Sequence, residues 1–512
     1  MARALLDRLG LLTEGIVVRR WPGGAGLFVT APVDGLLAAT ELCEQAWALA
    51  QDSTEQIPSD TISRLLVHLL HERRPRLVEL AREAESRRVS SVFDDDSATV
   101  GAGAGSRTWP LHALPDPATL DWTGIHDVPV ALITGSNGKT TTARLLTAML
   151  ARSGRVVGLT STDGIVVGGV LVEAGDWAGP SGARRVLRDP RVGAAVLETA
   201  RGGLLRRGVA TTRAQVAVVT RVAADHFGEY GVHDEQTLGE AKLSIGRVIP
   251  PTGHVVLNAE DPILVALAST LPAPVIWFSC RGDSPIITGH IGRGGEACIV
   301  EQGRVTILTG ERRLPLLPVS DMPIALGGAA RYNIANALAA TAAAMALGVD
   351  TGDIRETLRT FGALPSDNPG RLHVMRRAGV TVVLDFVHNP DGWRALYEAL
   401  SALPARRRIV VVGQAGDRSN EALHDLAAAV WKGAPALVVL KEMEPYLRGR
   451  SLGETSAVLT GAFRGLGAMP SQLRQAPDEL SAIRMAIALA EPGDLVILGV
   501  HEDYDAALAV LG

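Results

Sequence analysis

The chain has 512 residues, of which 47% are hydrophobic and 21% charged, with a formal net charge of −5. That length allows two to four domains, and the charge balance argues against a general polyanion binder, so no nucleic-acid partner is expected. The most apolar helical stretch, 335–349, is shorter than the roughly 20 residues that span a bilayer. The N-terminus lacks a signal-peptide pattern, so a cytoplasmic protein with no membrane contact is expected.

Residues 1–120 read as a small N-terminal α+β domain and linker. Two short β-like runs, 15–19 and 26–30, precede a helix near 34–51 and another near 60–87. The charged run His71-Glu72-Arg73-Arg74 reads as a solvated helix face. Asp94-Asp95-Asp96 and the alternating Gly/Ala run 101–105 read as loop or linker. Residues 121–365 are expected to form a central α/β domain. Its apolar strand-like runs end at Thr134, Thr160, Glu198, Thr220 and Asn258, and such strand ends form the ligand-binding edge of open parallel sheets. The segment 281–326 alternates in short runs broken by glycines and predicts β-hairpins, followed by a helix over 333–347. Residues 366–512 form a second α/β unit. Its strands are expected at 380–386, 409–413, 437–440 and 495–500, with helices near 393–403 and 421–431. Cys43, Cys280 and Cys298 are scattered and read as reduced core residues.

The chemistry concentrates after the run Val130-Ala131-Leu132-Ile133-Thr134. The loop reads Gly135-Ser136-Asn137-Gly138-Lys139-Thr140-Thr141 and opens an amphipathic helix with Gly154 at its C-terminal end. Strand, glycine loop, Lys-Thr, helix is the layout of a phosphate cradle. Backbone N–H groups and the helix N-terminus face the anion, Lys adds a point charge, and the Thr hydroxyl can hold Mg²⁺. The loop is shorter than a standard Walker loop, because Ile133 stands where that loop has its first Gly.

Arginine supplies nearly all the positive charge, and the four lysines are Lys139, Lys242, Lys432 and Lys441. A chain that uses Arg almost everywhere keeps Lys where a guanidinium will not serve. Glu198 at a strand end reads either as a Mg²⁺ ligand or as an ion-pair partner of the nearby arginines. Asp225-His226 follows the run ending at Thr220, and Thr237-x-x-Glu240 resembles a capping box opening a helix that carries Lys242 in its early turns. Lys242 reads either as a plain surface lysine or as a carbamylated metal ligand, since an ordinary ammonium does not bind Mg²⁺. Asp385-Phe386-Val387-His388-Asn389-Pro390 and Gly416-Asp417-Arg418 lie in loops at strand ends and read equally well as turns.

The phosphate loop resembles that of the Mur ligase family. Val256 to Pro262, Asn333-Ile334-Ala335-Asn336-Ala337, Pro369-Gly370-Arg371 and Asp385 to Pro390 follow the family's order. Within the family the motifs resemble the Mur-like half of cyanophycin synthetases, through Ser161-Thr162-Asp163-Gly164, Gly175 to Pro180, Val186 to Pro190, Leu197 to Gly208 and Leu447-Arg448-Gly449-Arg450. The resemblance covers roughly residues 105–505. It implies a central P-loop Mur-type ATPase domain with a β-rich part and a C-terminal Rossmann-like domain that closes over it.

The implied activity is that of an ATP-dependent amide ligase. A carboxylate attacks the γ-phosphate of ATP, and an amine displaces phosphate from the resulting acyl phosphate. The substrates implied are an amino acid or small amine and a peptide-like carboxylate acceptor. By position, Gly135, Asn137, Gly138, Lys139, Thr140 and Thr141 would hold the ATP phosphates. Thr140, Glu198, His226 and a carbamylated Lys242 would hold Mg²⁺, two ions in all. Asn258, Asn333 and Asn336 would lie near the adenine, Arg371 and Asp385 at phosphate or ribose, and His388 near the reacting groups. Lys139, His226, Lys242 and His388 are the expected catalytic residues.

The sequence departs from the family at three places. Cyanophycin synthetases carry an ATP-grasp module, for which residues 1–120 are too few, so a separate ATP-grasp ligase is a candidate partner. Arg221 stands where the family usually has Asn, and Phe386-Val387 replaces Tyr-Ala. The N-terminal region does not resemble a UDP-binding domain. A non-catalytic ATP-binding partner of an ATP-grasp ligase, and a poly-γ-glutamate or folylpolyglutamate type of ligase, are the alternatives.

Overall fold

A computed structural model of the chain describes residues 1–21, 24–52, 56–224, 227 and 230–512. It divides into two compact units. The first comprises Met1–Leu132, Arg155–Gln215 and Phe227–Pro250, and the second Ile133–Gly154, Val216–His226 and Pro251–Gly512.

The first unit begins with a short helix, Ala2–Arg8, which the sequence reading did not anticipate; the antiparallel strands Ile16–Trp21 and Gly24–Val29 follow, with helices Leu36–Gln51, Ser59–Glu72 and Pro75–Ser86 after them. Leu5, Leu6, Leu42, Leu65 and Leu69 form one buried cluster there. The single helix expected over 60–87 is two helices. Pro75 occupies the first turn of the second, and Arg73 and Arg74 ahead of it leave the helical region, as a residue before proline tends to do. The expected linker is also folded. Ser91–Phe93, Ser97–Val100 and Arg107–Pro110 make a three-stranded antiparallel sheet. The acidic run is its first turn, in which Asp94 accepts the Ser97 N–H at 2.8 Å and pairs with Arg188. The Gly/Ala run is tied down as well: Ala104 N–H donates to Val192 O at 2.8 Å.

Strands Ala194–Glu198 and Val157–Ser161 of this unit pair in parallel, and Gly164–Val167 and Val170–Ala174 extend them antiparallel. Glu198 ends its strand as its apolar run anticipated, and the neighbouring parallel strand runs one residue past the expected Thr160, to Ser161.

The second unit holds a mixed sheet and a separate six-stranded one. In the first, Val216–Val219, His254–Asn258, Val275–Ser279 and Glu296–Glu301 are parallel neighbours, and Arg304–Thr309 and Arg312–Pro318 continue antiparallel. The last three strands are the expected hairpins; the helix Pro285–Ile291 before them was not anticipated. Helix Arg331–Ala346 is almost wholly buried, with Ala339, Ala340, Ala342, Ala343 and Ala344 inside. Small side chains let it pack closely on helix Lys139–Arg152 and on the sheet.

The six-stranded sheet runs His373–Arg377, Val380–Asp385, Leu495–Gly499, Arg408–Val412, Leu437–Lys441, Leu473–Ala476, parallel except for the first. Apolar clusters cover both faces, one around Trp393, Leu396 and Phe463 and the other around Ile483, Ala486 and Leu511. Two covered faces explain why these strands are uninterrupted apolar runs. The molecule is thus α/β, with a β-rich extension and a Rossmann-like C-terminal part. No helix among the described residues is long and apolar enough to cross a membrane.

Candidate active site

Strand Val130–Thr134 delivers the chain to the loop 135–138, and helix Lys139–Arg152 starts at once. The N-cap of that helix is Gly138, which has no capping side chain, and the N-terminus of a helix favours an anion. The loop needs both of its glycines. Gly138 sits at φ +85°, and a Cβ there would lie 2.1 Å from Asn336 Oδ1. Gly135 sits at φ +151°, and a Cβ there would lie 1.9 Å from Thr220 Oγ1.

The loop is pinned to the segment after strand Val216–Val219. Thr220 Oγ1 donates to Asn137 O at 2.6 Å, and Ser136 N–H donates to Arg221 O at 2.8 Å. Ser136 Oγ exchanges bonds with Ala223 O and Ala223 N, each at 3.0 Å. Lys139 Nζ folds back onto its own loop, donating to Gly135 O and Ser136 O at 3.1 and 3.4 Å.

The asparagines named from the sequence all bear on this loop. Asn336 abuts Gly138 and donates to Asn333 Oδ1 at 3.2 Å, and Asn333 donates to Ile324 O at 3.1 Å. Asn258 donates to Thr220 O at 3.2 Å. Asp261 stood in the motif Val256 to Pro262 but was given no role there. Its buried carboxylate accepts Val222 N–H at 2.7 Å and the N–H groups of Ile263 and Leu264. It anchors the segment that anchors the loop, and burial pushes its pKa up.

Residues from the C-terminal part of the same unit converge here. Arg371 reaches Thr140 Oγ1 at 3.4 Å, and its guanidinium lies 4.3 Å above the Phe386 ring. The Phe-for-Tyr departure thus keeps the aromatic face that Arg371 stacks on. Asp385 accepts Leu372 N–H at 2.7 Å. Burial raises its pKa to about 6, against the Arg371 charge and that hydrogen bond. His388 Nδ1 lies 3.1 Å from Phe386 O; donating there leaves Nε2 as the lone-pair nitrogen.

Two further residues were given no role from the sequence: Asn368 lay outside every motif, and Asn389 stood within Asp385 to Pro390. Asn368 donates to Thr141 Oγ1 at 3.3 Å and accepts from Arg144 at 3.1 Å. Asn389 exchanges amide bonds with Asn137 at 2.9 and 3.3 Å while capping helix Pro390–Leu400.

Glu198 and Lys242 belong to the first unit, and both are buried, at 1% and 3% exposure. Burial removes the reading of Lys242 as a plain surface lysine. The helix that carries it starts earlier than the sequence suggested. Asp234 is the cap, accepting Thr237 N–H at 2.7 Å, and Thr237 returns the bond in place of Glu240. A carboxylate at Asp234 outcompetes the hydroxyl at Thr237 for the capping position, so Lys242 falls in the last turn rather than the first. Asp225 and His226 lie outside the described residues. Among the described residues no group of three or more His, Cys, Asp or Glu is placed to hold a metal ion. Carboxylate, hydroxyl and phosphate oxygens, the donor types named from the sequence, are of the hard kind that suits Mg²⁺.

Two family models match the chain: the Mur ligase middle domain over residues 133–344, and the Mur ligase glutamate ligase domain over residues 370–499. The chain belongs to the Mur ligase family. It is 38% identical over 372 residues to a cyanophycin synthetase from Synechocystis sp., covering 72% of this chain and 42% of that protein. The chain therefore spans less than half the length of that relative. It is 28% identical over 407 residues to the UDP-N-acetylmuramoyl-L-alanyl-D-glutamate–2,6-diaminopimelate ligase of Geobacter sulfurreducens, covering 74% of this chain and 75% of that one. A bifunctional folylpolyglutamate synthase/dihydrofolate synthase, crystallised with Mn, AMPPNP and L-glutamate, matches with a TM-score of 0.56 at 21% identity. That match covers 75% of this chain and 89% of the other, and at that identity it shows the fold.

Proposed function

We propose that this Mur ligase family member is an ATP-dependent amide ligase. It joins an amino acid or another small amine to a carboxylate of a peptide-like acceptor. The observation that carries this reading is the phosphate loop. Its glycine-capped helix, two constrained glycines and back-folded Lys139 are met by Arg371 from the C-terminal part of the same unit. Family membership adds the reaction type.

In this reading an acceptor carboxylate oxygen attacks the γ-phosphorus of ATP, and the bond to ADP breaks. The amine nitrogen then attacks the acyl carbon, the carbon–oxygen bond breaks, and phosphate leaves. Little covalent chemistry falls to the protein, so positioning and charge stabilisation dominate. Lys139 and the helix N–H groups hold the phosphates, Arg371 steadies Thr140, and His388 Nε2 is the acceptor for the amine's proton. Bound divalent metal supplies charge neutralisation at the phosphates. Thr140, Glu198, His226 and a carbamylated Lys242 are its ligands in this reading, with two ions in all. Burial of Lys242, in a chain that otherwise uses arginine, supports a modified lysine. A separate ATP-grasp ligase, working with it in the cytoplasm, would supply the acceptor backbone.

The test is phosphate release from Mg·ATP with β-aspartyl peptides, poly-aspartate and glutamyl peptides, each crossed with amino acids. Release should require both an acceptor and an amine, and Lys139→Ala should reduce it on the order of a hundredfold or more. Release that ignores the amine, or survives Lys139→Ala, would refute the ligase reading.

A further inference from the structure

Arg221 is the residue at which this chain departs from its family beside the phosphate loop, and it has a partner. Its guanidinium lies 3.0 Å from Asp391 Oδ1. The other carboxylate oxygen of Asp391 accepts Asn137 Nδ2 at 3.0 Å. Asn137 is a loop residue, and its amide is also paired with Asn389. The backbone of Arg221 is stitched into the same loop through Ser136 N–H. One side chain thus grips from outside a carboxylate that grips the loop from within.

The arrangement repeats along the helix. Asp391 and Glu398 are seven residues, or two turns, apart on helix Pro390–Leu400 and share one face. Arg331 stands 3.7 Å from Glu398 and 3.7 Å from Glu260. An acidic helix face is met by two arginines, one of them at the loop.

A carboxylate beside a phosphate-binding loop is a liability, because its charge opposes the incoming anion. We propose that Arg221 is a positioning residue: it holds the Asp391 carboxylate onto Asn137 and shields nucleotide phosphate from its charge. The inference rests on the phosphate-loop reading above. Arg221 is 55% exposed and Asp391 17%, so the coupling belongs to the range of solvent-screened pairs, up to about a fivefold effect.

The experiment measures the affinity of the full chain for ADP with Mg²⁺ by titration calorimetry. Four proteins are compared: wild type, Arg221→Asn, Asp391→Asn and the double variant. Arg221→Asn strands the carboxylate and should weaken binding about fivefold at low ionic strength. Adding Asp391→Asn, which keeps an acceptor for Asn137 but removes the charge, should restore most of that loss. The difference should shrink at about 500 mM salt, where the screening length is only a few ångströms. A merely structural role for Arg221 would not be rescued by a second substitution, nor respond to salt in this way. The proposal is overturned if Arg221→Asn binds like wild type at low salt, or if the double variant binds no better than Arg221→Asn. If Arg221→Asn does not fold, Arg221→Lys replaces it, and an undiminished affinity in Arg221→Lys/Asp391→Asn upholds the pair while a loss overturns it. Failure of wild type to bind ADP would instead sink the phosphate-loop reading itself.

Discussion

Replacing Lys441 by Met should cost the C-terminal sheet a large part of its stability. Lys441 ends strand Leu437–Lys441 with its side chain fully enclosed, and its ammonium pairs with Glu479, exposed by only 2%. Lys441 Nζ also donates to Gly499 O at 2.8 Å. The Glu479 carboxylate further accepts the N–H groups of His501, Glu502 and Asp503 at 2.6, 3.1 and 3.3 Å. Burial pulls the lysine's pKa down, while Glu479 pulls it back up. Removing one partner of a buried pair costs about 3–5 kcal/mol. Three N–H donors remain on Glu479, so the loss should fall near about 3 kcal/mol. At about 2–4 °C per kcal/mol, the scaling for domains of about 150–250 residues, that lowers the melting temperature by roughly 6–12 °C.

The assay is thermal and urea unfolding followed by tryptophan fluorescence, since Trp393 is wholly buried in this part. The double variant Lys441→Met/Glu479→Leu should recover most of the loss, because two apolar side chains replace two charges. A single variant that melts with wild type, or a double variant no better than the single, would refute the reasoning. The pair also reaches the site. His501 Nε2 contacts Val387 O at 3.0 Å, and its ring meets Phe386 edge-on at 5.1 Å. Phe386 is the ring on which Arg371 rests. Lys441→Met should therefore weaken nucleotide binding even where the protein remains folded.

Gly138→Ala should lose nucleotide affinity by roughly tenfold or more in a calorimetric titration, because the new Cβ would lie 2.1 Å from Asn336 Oδ1 in a left-handed backbone. Asp385 has a native pKa of about 6, above its unfolded value near 4. Its contribution to stability is thus fully present below about pH 4 and lost as pH rises through about 6. Urea midpoints should show wild type losing ground to Asp385→Asn across that window, with no further change above about pH 7; a constant difference between the two proteins would contradict the assignment.

What the sequence showed and what it hid follow from how local each signal is. The phosphate loop was legible because its chemistry needs a strand end, two glycines, Lys and Thr in immediate succession. Strands buried on both faces were legible as apolar runs. Strand Leu473–Ala476 was not, because an edge strand with Arg474 and Gln475 exposed carries no such run. The Asn137–Asn389 pair joins residues 252 positions apart, and no spacing rule reaches that far. Arg221 was visible only as an oddity, since its meaning lies in Asp391.

The scarcity of lysine proved a physical clue and also shows its own limit. Lys139 bends its ammonium back onto its own loop, and Lys242 and Lys441 are buried, one at 3% exposure and the other at 2%. At Lys441 the enclosed ammonium meets Glu479 and Gly499 O, a setting that suits a compact point charge on a thin stem better than a planar guanidinium, which needs donors satisfied along a wide fork. Lys432, at the C-terminal end of helix Asn420–Trp431, is exposed and meets no such constraint. Rarity therefore marked the constrained positions without being confined to them. Burial separates Lys441, which the motifs left unexplained, from Lys432, and it makes Lys441 the residue whose substitution should be felt at the candidate site without touching it.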